Sequence, residues 1–333
     1  MKRTVVVLTQ EMDLTADSVV KVLHDMDVPV FRYDTSYYPV NSTLTYRIGP
    51  AGCTTELFDS THSERSISLE DVASVWYLRP TAFRFDDALT GPFREFAQKE
   101  AAHAFGGVMS GLPVLWVNRP DLEARADYKP LQLRIARSVG LRVPRTLITN
   151  DPARVRPFHA ECEGSMIYKA LNSGLIREPG GWPGGLFTSA VAQLDDDLLA
   201  RVRFAPCIFQ ELVEKAYDLR ITVIGDRLFP VRIDGVDEDG GRAVDWRSCP
   251  VGSDEHLRHS RVDIPESVET GLRALMRELG LNYGAVDMVV TPRGEHVFLE
   301  VNPSGQFAWL DDEIEDLNLR GAMAEYLAAG LAR

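Results

Sequence analysis

The sequence lacks several features that would assign it quickly to a class. Its 333 residues contain four cysteines without a CxxC pair, so neither a zinc ribbon nor a dense disulfide framework is indicated. No apolar run approaches the roughly 18 residues that a membrane helix needs. The first apolar run, Val5–Leu8, is too short for the core of a secretion signal. We therefore expect a cytoplasmic protein with reduced thiols and no membrane partner.

Positive charge is also scarce. There are 36 Lys and Arg residues against 49 Asp and Glu residues, a formal net charge of -13, which disfavours nonspecific binding to nucleic acid. Residues 121–205 are close to neutral, whereas 206–333 carry most of the negative excess. A neutral middle and an acidic end suit a site for a polyphosphate with a divalent metal, although solvated surface charge explains the pattern equally well.

The pattern of strands and helices changes along the chain. Strand-like runs alternate with helical stretches over residues 1–120, which is typical of an open α/β sheet. TQEMDLTADS follows the first strand instead of GxGxxG, and this argues against a Rossmann dinucleotide site. Pro120 breaks the alternation, and the later pattern is α+β. We predict an N-terminal α/β domain at 1–120, a central domain at 121–205 and a C-terminal domain at 206–333.

Two acidic strands near the end of the chain carry oxygen donors. Glu300 and Asn302 are two residues apart, so they project from the same face of a strand, and a hairpin turning near Gly294 brings Asp287 alongside them. Oxygen donors that converge at one point suit Mg²⁺. The alternative is that these side chains simply face water. The apolar residues around them predict a buried hairpin, in which unpaired carboxylates are costly, and this favours the metal.

Two of the six lysines occupy suggestive positions. Lys129 opens a predicted helix, and Lys169 ends the predicted strand SMIYKA before a glycine-rich segment at 172–185. Such a lysine can reach phosphate oxygens while loop amides close over them. Each lysine taken alone is more often an exposed surface group, and the glycine-rich segment does not have Walker A spacing.

A third element, QELVEKAYDLR, begins at Gln210. The end of a strand at Glu211–Val213 exposes backbone groups that can read an adenine edge, and an acid beyond it can accept from ribose hydroxyls. Asp218 and Arg220 share one strand face, so a mutual ion pair is the structural alternative. Arg232 is placed to contact a γ-phosphate or only to pair with Asp234.

Taken in this order, the elements resemble the ATP-grasp superfamily of carboxylate ligases over roughly residues 121–333. Residues 1–120 stand in the position of its N-terminal preceding domain. Within the superfamily the sequence looks most like the maturases of graspetides, the microviridin-type peptides. The similar segments are ARADYKPLQL, VPRTLITNDP, IYKAL, DLR and NPSGQFAW.

The resemblance implies a role for each candidate residue. Lys129 and Lys169 would bind ATP phosphates, and Glu211, Leu212 and Val213 would lie at the adenine edge. Asp218 would lie near the ribose or the substrate. Arg220 would contact the acceptor carboxylate or acyl phosphate, and Arg232 the γ-phosphate. The Mg²⁺ ligands would be Asp287, Glu300 and Asn302.

The resemblance also implies an activity. ATP would activate an Asp or Glu side chain of a ribosomal precursor peptide, and a Ser, Thr or Lys side chain of that peptide would attack to close a ring. The family further implies a homodimer. Two alternatives stay open, a ligase that adds a free amino acid or amine to a carboxylate, and a regulatory protein that binds ATP without turnover.

Overall fold

The computed structural model describes residues 3–61, 64–172, 175–176, 184–185, 188–191, 193–236, 240–249 and 257–332. The chain forms two compact units. Unit 1 comprises Met1–Glu123, Leu281–Tyr283 and Gln306–Arg333, and unit 2 comprises Ala124–Gly280 and Gly284–Gly305. The C-terminal segment thus belongs with the N-terminal residues. The three domains expected from the sequence stay a prediction.

The elements up to residue 117 all lie in unit 1. They are β1 (Thr4–Leu8), α1 (Leu14–Asp25), β2 (Val30–Tyr33), β3 (Ser42–Gly49), β4 (Gly52–Asp59), β5 (Arg65–Ser68), β6 (Val72–Tyr77), α2 (Gly91–Ser110) and β7 (Leu115–Val117).

A four-stranded parallel sheet in the order β2-β1-β6-β7 forms the centre of unit 1. The sequence of β1, TVVVL, is rich in β-branched residues, which suit a strand buried on both faces. Val5, Val6 and Val7 have no exposed surface. The open sheet predicted for the first region is therefore confirmed.

A second sheet in unit 1 was not expected from the sequence. Strands β3, β4 and β5 form an antiparallel meander in that order. The outer part of β3 is exposed and mixes polar residues with Tyr46 and Ile48. Leu44, Tyr46 and Ile48 alternate with polar residues along β3, which is the period of a strand, so the sequence does carry a signal for this element.

From residue 120 the chain runs mainly through unit 2. The elements are α3 (Pro120–Ala126), α4 (Lys129–Ser138), β8 (Thr146–Thr149), α5 (Val155–Glu161), β9 (Met166–Lys169), β10 (Leu175–Ile176), β11 (Gly184–Gly185), β12 (Ser189–Val191), α6 (Asp196–Arg201), β13 (Cys207–Glu211), β14 (Tyr217–Ile224), β15 (Arg227–Gly235), β16 (Leu257–Arg261), α7 (Glu266–Leu279), β17 (Tyr283–Val290) and β18 (His296–Asn302). Helices α8 (Ala308–Glu313) and α9 (Leu319–Ala328) complete unit 1.

Two sheets organise unit 2. One has the order β12-β9-β13-β8 and the other the order β16-β15-β14-β17-β18. Every residue of β17 is buried, and α7 buries Leu272, Leu275 and Leu279 along one face. This mixture of helices and antiparallel strand pairs is the fold class that the sequence predicts for residues 121–333. Within the described residues, no helix is both long and apolar enough to cross a membrane.

Candidate active site

The β17–β18 hairpin brings the three predicted oxygen donors together in unit 2. Asp287 lies opposite Glu300 in the strand register. The Asn302 Nδ2 atom is 3.2 Å from Asp287 Oδ2 and 3.5 Å from Glu300 Oε1. The sequence therefore predicts the convergence of these side chains correctly, while their role as metal ligands stays a prediction.

Both predicted lysines lie beside these carboxylates. Lys129 is the first residue of α4, and its Nζ atom is 2.7 Å from Glu300 Oε2. Lys169 ends β9, and Glu300 and Lys129 are its main charged neighbours. Burial lowers the pKa of Lys169, and the adjacent Lys129 charge lowers it further against the opposing effect of Glu300. Two ammonium groups therefore share the environment of one carboxylate.

The Glu300 carboxylate is strongly stabilised as an anion. Its side chain is 17% exposed, and burial alone would raise its pKa. The positive charges of Lys129 and Lys169, followed by Arg247, outweigh burial and lower that pKa to about 2. Glu300 is therefore ionised throughout the neutral range.

Asp287 is held by two guanidinium groups. Arg220 Nη1 donates to Asp287 Oδ1 at 2.8 Å, and Arg247 Nη2 donates to Asp287 Oδ2 at 2.5 Å. Arg220 lies on β14, and its side chain is only 6% exposed. A Cβ atom at Gly305 would lie 2.9 Å from Arg220 Nη2, so glycine at this position makes room for the buried guanidinium. The Asp218–Arg220 ion pair considered from the sequence does not form.

Asp218 pairs with Lys215 instead. The Lys215 Nζ atom is 2.8 Å from Asp218 Oδ1, 2.6 Å from Asp218 Oδ2 and 3.0 Å from the Val244 carbonyl oxygen. Burial raises the pKa of Asp218 to about 6, although Lys215 favours the ionised form. The lysine thus ties the start of β14 to the segment that carries Arg247.

Most of these side chains line one cavity of about 430 Å³ in unit 2, a size in the range of small-ligand sites. Arg220 and Asn302 contact Asp287 but are not part of the described lining. Leu212 and Val213 form part of its apolar wall. Among the described residues, its charged lining consists of four cations and four anions: Lys129, Lys169, Lys215, Arg247, Asp218, Asp245, Asp287 and Glu300. A concave site with an apolar wall and opposed buried charges can take a ligand that is both flat and polyanionic.

Two residues that were predicted to contact ATP instead pair with charged side chains of the protein. Glu211 Oε2 is 2.5 Å from Arg145 Nε, and its carboxylate does not contribute to the described cavity lining. Arg232 binds Asp234 through two bonds of 2.7 and 2.9 Å, and its guanidinium stacks on Tyr217 at 4.3 Å. Of the two possibilities considered for Arg232, the pairing with Asp234 is the one observed. Its predicted γ-phosphate contact has no support from the described cavity lining.

Most of the glycine-rich segment at 172–185 lies outside the described residues, so its predicted closure over phosphates is not described. Conversely, sequence reasoning missed Lys215, Trp246 and Arg247. Trp246 and Arg247 lie in a short turn, Trp246–Ser248, which has neither helical nor strand periodicity. The local signal available in the sequence is the triplet Asp245-Trp246-Arg247, in which an aromatic residue stands between two charged residues.

Comparisons with known proteins agree with this geometry. Residues 4–123 match the family model described as the MvdD pre-ATP grasp domain. No sequence among curated proteins matched the chain.

Solved structures match nearly the whole chain. MdnC, a macrocyclase from Microcystis aeruginosa MRC bound to its precursor peptide MdnA, is 30% identical over 98% of this chain and 99% of its own, with a TM-score of 0.81. A RiPP-associated ATP-grasp ligase from Chryseobacterium gregarium, in complex with ADP and a leader and core peptide, is 26% identical over 98% of this chain and 97% of its own, with a TM-score of 0.85. PsnB, in complex with Mg, ADP and a phosphomimetic precursor variant, is 26% identical over 99% of both chains, with a TM-score of 0.76.

The fold and the site thus define an ATP-grasp ligase. More narrowly, the chain belongs to the MdnC family, the ATP-grasp macrocyclases of ribosomally made precursor peptides. The resemblance inferred from the sequence motifs is confirmed.

Proposed function

We propose that this protein uses ATP and Mg²⁺ to macrocyclise a ribosomal precursor peptide. The observation that carries the proposal is the cavity in unit 2, where Lys129, Lys169 and Arg247 converge on Asp287 and Glu300. The relatives described above have precursor peptides, ADP or Mg in their structures, which supports the same ligands here. We also propose that the enzyme is a homodimer and acts in the cytoplasm.

The donor set fits Mg²⁺. Asp287 and Glu300 provide carboxylate oxygens from facing strands, and Asn302, whose Nδ2 donates to both of them, would ligate through its Oδ1 oxygen. Mg²⁺ prefers such ligands and shares its remaining coordination with water and substrate phosphates. When bound, it would neutralise charge on the phosphate oxygens. The described lining has no net charge, so ATP would enter together with its own counter-ions.

The protein side chains would position the reactants. Lys129 and Lys169 would hold the phosphates of ATP, while Leu212 and Val213 would contact the adenine and Asp218 would lie near the ribose or the peptide. Arg220 would hold Asp287 in place, and its contact with the acceptor carboxylate stays a prediction because its side chain is outside the described cavity lining. These roles require groups that are fixed in advance, and the buried ion pairs of the cavity provide that rigidity. A contact between Arg232 and the γ-phosphate stays a prediction, since the guanidinium binds Asp234.

The reaction has two steps. An oxygen of an Asp or Glu side chain of the peptide attacks the γ-phosphorus, and ADP leaves to give an acyl phosphate. A Ser or Thr hydroxyl, or a Lys amine, of the same peptide then attacks the acyl carbon. Phosphate leaves with the bonding electrons, the nucleophile loses its proton, and an ester or amide closes the ring. The two steps together remove one water from the peptide for each link.

The test is an intact-mass measurement. The enzyme is incubated with Mg-ATP and the short peptide encoded beside its gene, chosen for Thr together with Asp or Glu. We expect the peptide to lose the mass of one water per link, with one ADP formed each time. A gain of an amino-acid mass with an added amine would instead indicate the ligase alternative. Tight Mg-ATP binding without any peptide-dependent ADP release would favour a regulatory protein.

A further inference from the structure

Arg247 contacts the carboxylate pair that we assign to the metal. Its Nη2 atom is 2.5 Å from Asp287 Oδ2 and 4.0 Å from Glu300 Oε1. The guanidinium therefore lies at the two oxygens that face each other across the β17–β18 hairpin. Asp287 exerts the largest of the effects that raise the pKa of Arg247, so this side chain stays charged. A cation that bound both oxygens would meet a positive charge in the same place.

The two arginines that bind Asp287 differ in how easily each side chain could move away from that carboxylate. The Arg220 side chain is 6% exposed and fits closely against Gly305. The Arg247 side chain is 37% exposed and lies at the cavity wall. Removing Arg220 from Asp287 would disrupt a buried pair, which is costly. Arg247 can move at a lower cost because its charge can be solvated.

Arg247 also has alternative partners nearby. Its Nη1 atom is 3.4 Å from Asp245 Oδ1, and its guanidinium lies 5.0 Å from the centre of the Trp246 ring. These contacts come from its own turn and do not involve the metal ligands. A side chain that left Asp287 would therefore keep an anion and an aromatic face.

The backbone of this turn is anchored. A Cβ atom at Gly235 would lie 3.2 Å from Trp246 Cβ and 3.3 Å from Cys249 Sγ, so the turn packs directly against β15. Lys215 holds the Val244 carbonyl oxygen, and Ala243 and Cys249 are buried. Movement of Arg247 can thus be confined to its side chain.

From these contacts we infer that Arg247 and the divalent cation compete for Asp287 Oδ2. Binding of the metal–nucleotide releases the Arg247 guanidinium into the cavity and towards Asp245. Arg247 is a positioning residue in this scheme: it holds Asp287 in place before the metal arrives and is freed only when the nucleotide is loaded. The inference rests on the proposed function, because it takes Asp287 and Glu300 as the metal ligands.

The experiment measures metal affinity directly. Mn²⁺ is titrated into the full-length protein in saturating ADP, and free Mn²⁺ is followed by electron paramagnetic resonance. Removing the competing guanidinium in Arg247→Met should tighten Mn²⁺ binding by about fivefold or more. The matched control is Arg242→Met, which removes the same charge from the same segment but from a side chain that pairs with Asp234 at 3.2 Å. We expect the control to bind Mn²⁺ as the wild type does.

An equal or weaker Mn²⁺ affinity in Arg247→Met overturns the inference. If that variant does not fold, Arg247→Gln serves instead, because it also removes the charge but keeps a polar side chain at the cavity wall; it should likewise bind Mn²⁺ more tightly than the wild type, and unchanged affinity overturns the inference. Failure of the proposed function gives a different result: the wild type itself would then show no ADP-dependent Mn²⁺ binding, or the same binding as Glu300→Gln.

Discussion

Each unit has a largely buried carboxylate with a lowered pKa, yet the two carboxylates have different surroundings. Asp59 in unit 1 has a fully buried side chain that pairs with Arg65 at 2.8 Å, and the Thr61 amide donates to it at 2.9 Å. Its partners Thr61 and Arg65 lie near it in the sequence, and together they enclose the carboxylate. Glu300 in unit 2 is paired with cations from α4 and β9 and lines an open cavity. We therefore expect Asp59 to serve stability and Glu300 to serve ligand binding.

The largest expected effect comes from neutralising Glu300. Glu300→Gln keeps the shape of the side chain but removes the charge that balances Lys129 and Lys169, so turnover should fall by roughly 100-fold or more. Peptide-dependent ADP release measures this loss. Circular dichroism should show an intact fold, and wild-type turnover in the variant would contradict the metal assignment.

The matched change in unit 1 should affect stability instead. Asp59→Asn leaves Arg65 without its buried partner, and we expect unfolding to become easier by about 2 kcal/mol. Urea unfolding measures the loss. The affinity for AMPPNP should stay at the wild-type value. A variant that lost nucleotide affinity without losing stability would remove the contrast between the two carboxylates.

A smaller effect is expected for one of the two lysines. Lys169→Met keeps an apolar stem in β9 but removes one of the two ammonium groups near Glu300, so AMPPNP should bind about tenfold more weakly. Calorimetric titration in excess Mg²⁺ measures this change. Lys99→Met on α2 of unit 1 is the control, and equal affinities in the two variants would argue against a phosphate role for Lys169.

The last expected effect is a pH dependence of stability. The folded state raises the pKa of Asp218 from 3.8 to about 6, mainly through burial, so folded protein binds the proton more tightly than unfolded protein does. The contribution of this group to stability therefore falls as pH rises through this interval. Asp218→Asn lacks the effect, and its stability relative to the wild type should increase between pH 4 and pH 6. Urea unfolding at several pH values would detect the trend, and a constant difference would contradict it.

Local periodicity predicted those parts of the site that depend on a single element or hairpin. The pairing of Asp287 with Glu300 follows from strand alternation and one turn, and Lys129 stands at the start of an amphipathic helix. Arg247 was missed because its position depends on a turn packed against Gly235 and on Lys215. Neither contact leaves a periodic signal in the sequence.

Arg232 and Glu211 show the limit of prediction from strand alternation, because each side chain pairs within the protein rather than with the predicted ligand. Strand alternation places Arg232 and Asp234 on one face, and their two-residue spacing lets them pair. Glu211 ends β13 next to Arg145, and its carboxylate is held there. A sequence pattern gives the face on which a residue lies, but competing ion pairs decide which partner it takes.

The most direct test of the central claim is a titration of AMPPNP with and without Mg²⁺ into the wild type and into a Lys169→Met, Glu300→Gln double variant. If lysines and carboxylates of unit 2 together hold a metal–nucleotide, the wild type should bind AMPPNP tightly only with Mg²⁺, and the double variant should bind weakly in both conditions. Tight binding by the double variant, or binding by the wild type that does not respond to Mg²⁺, would contradict the account.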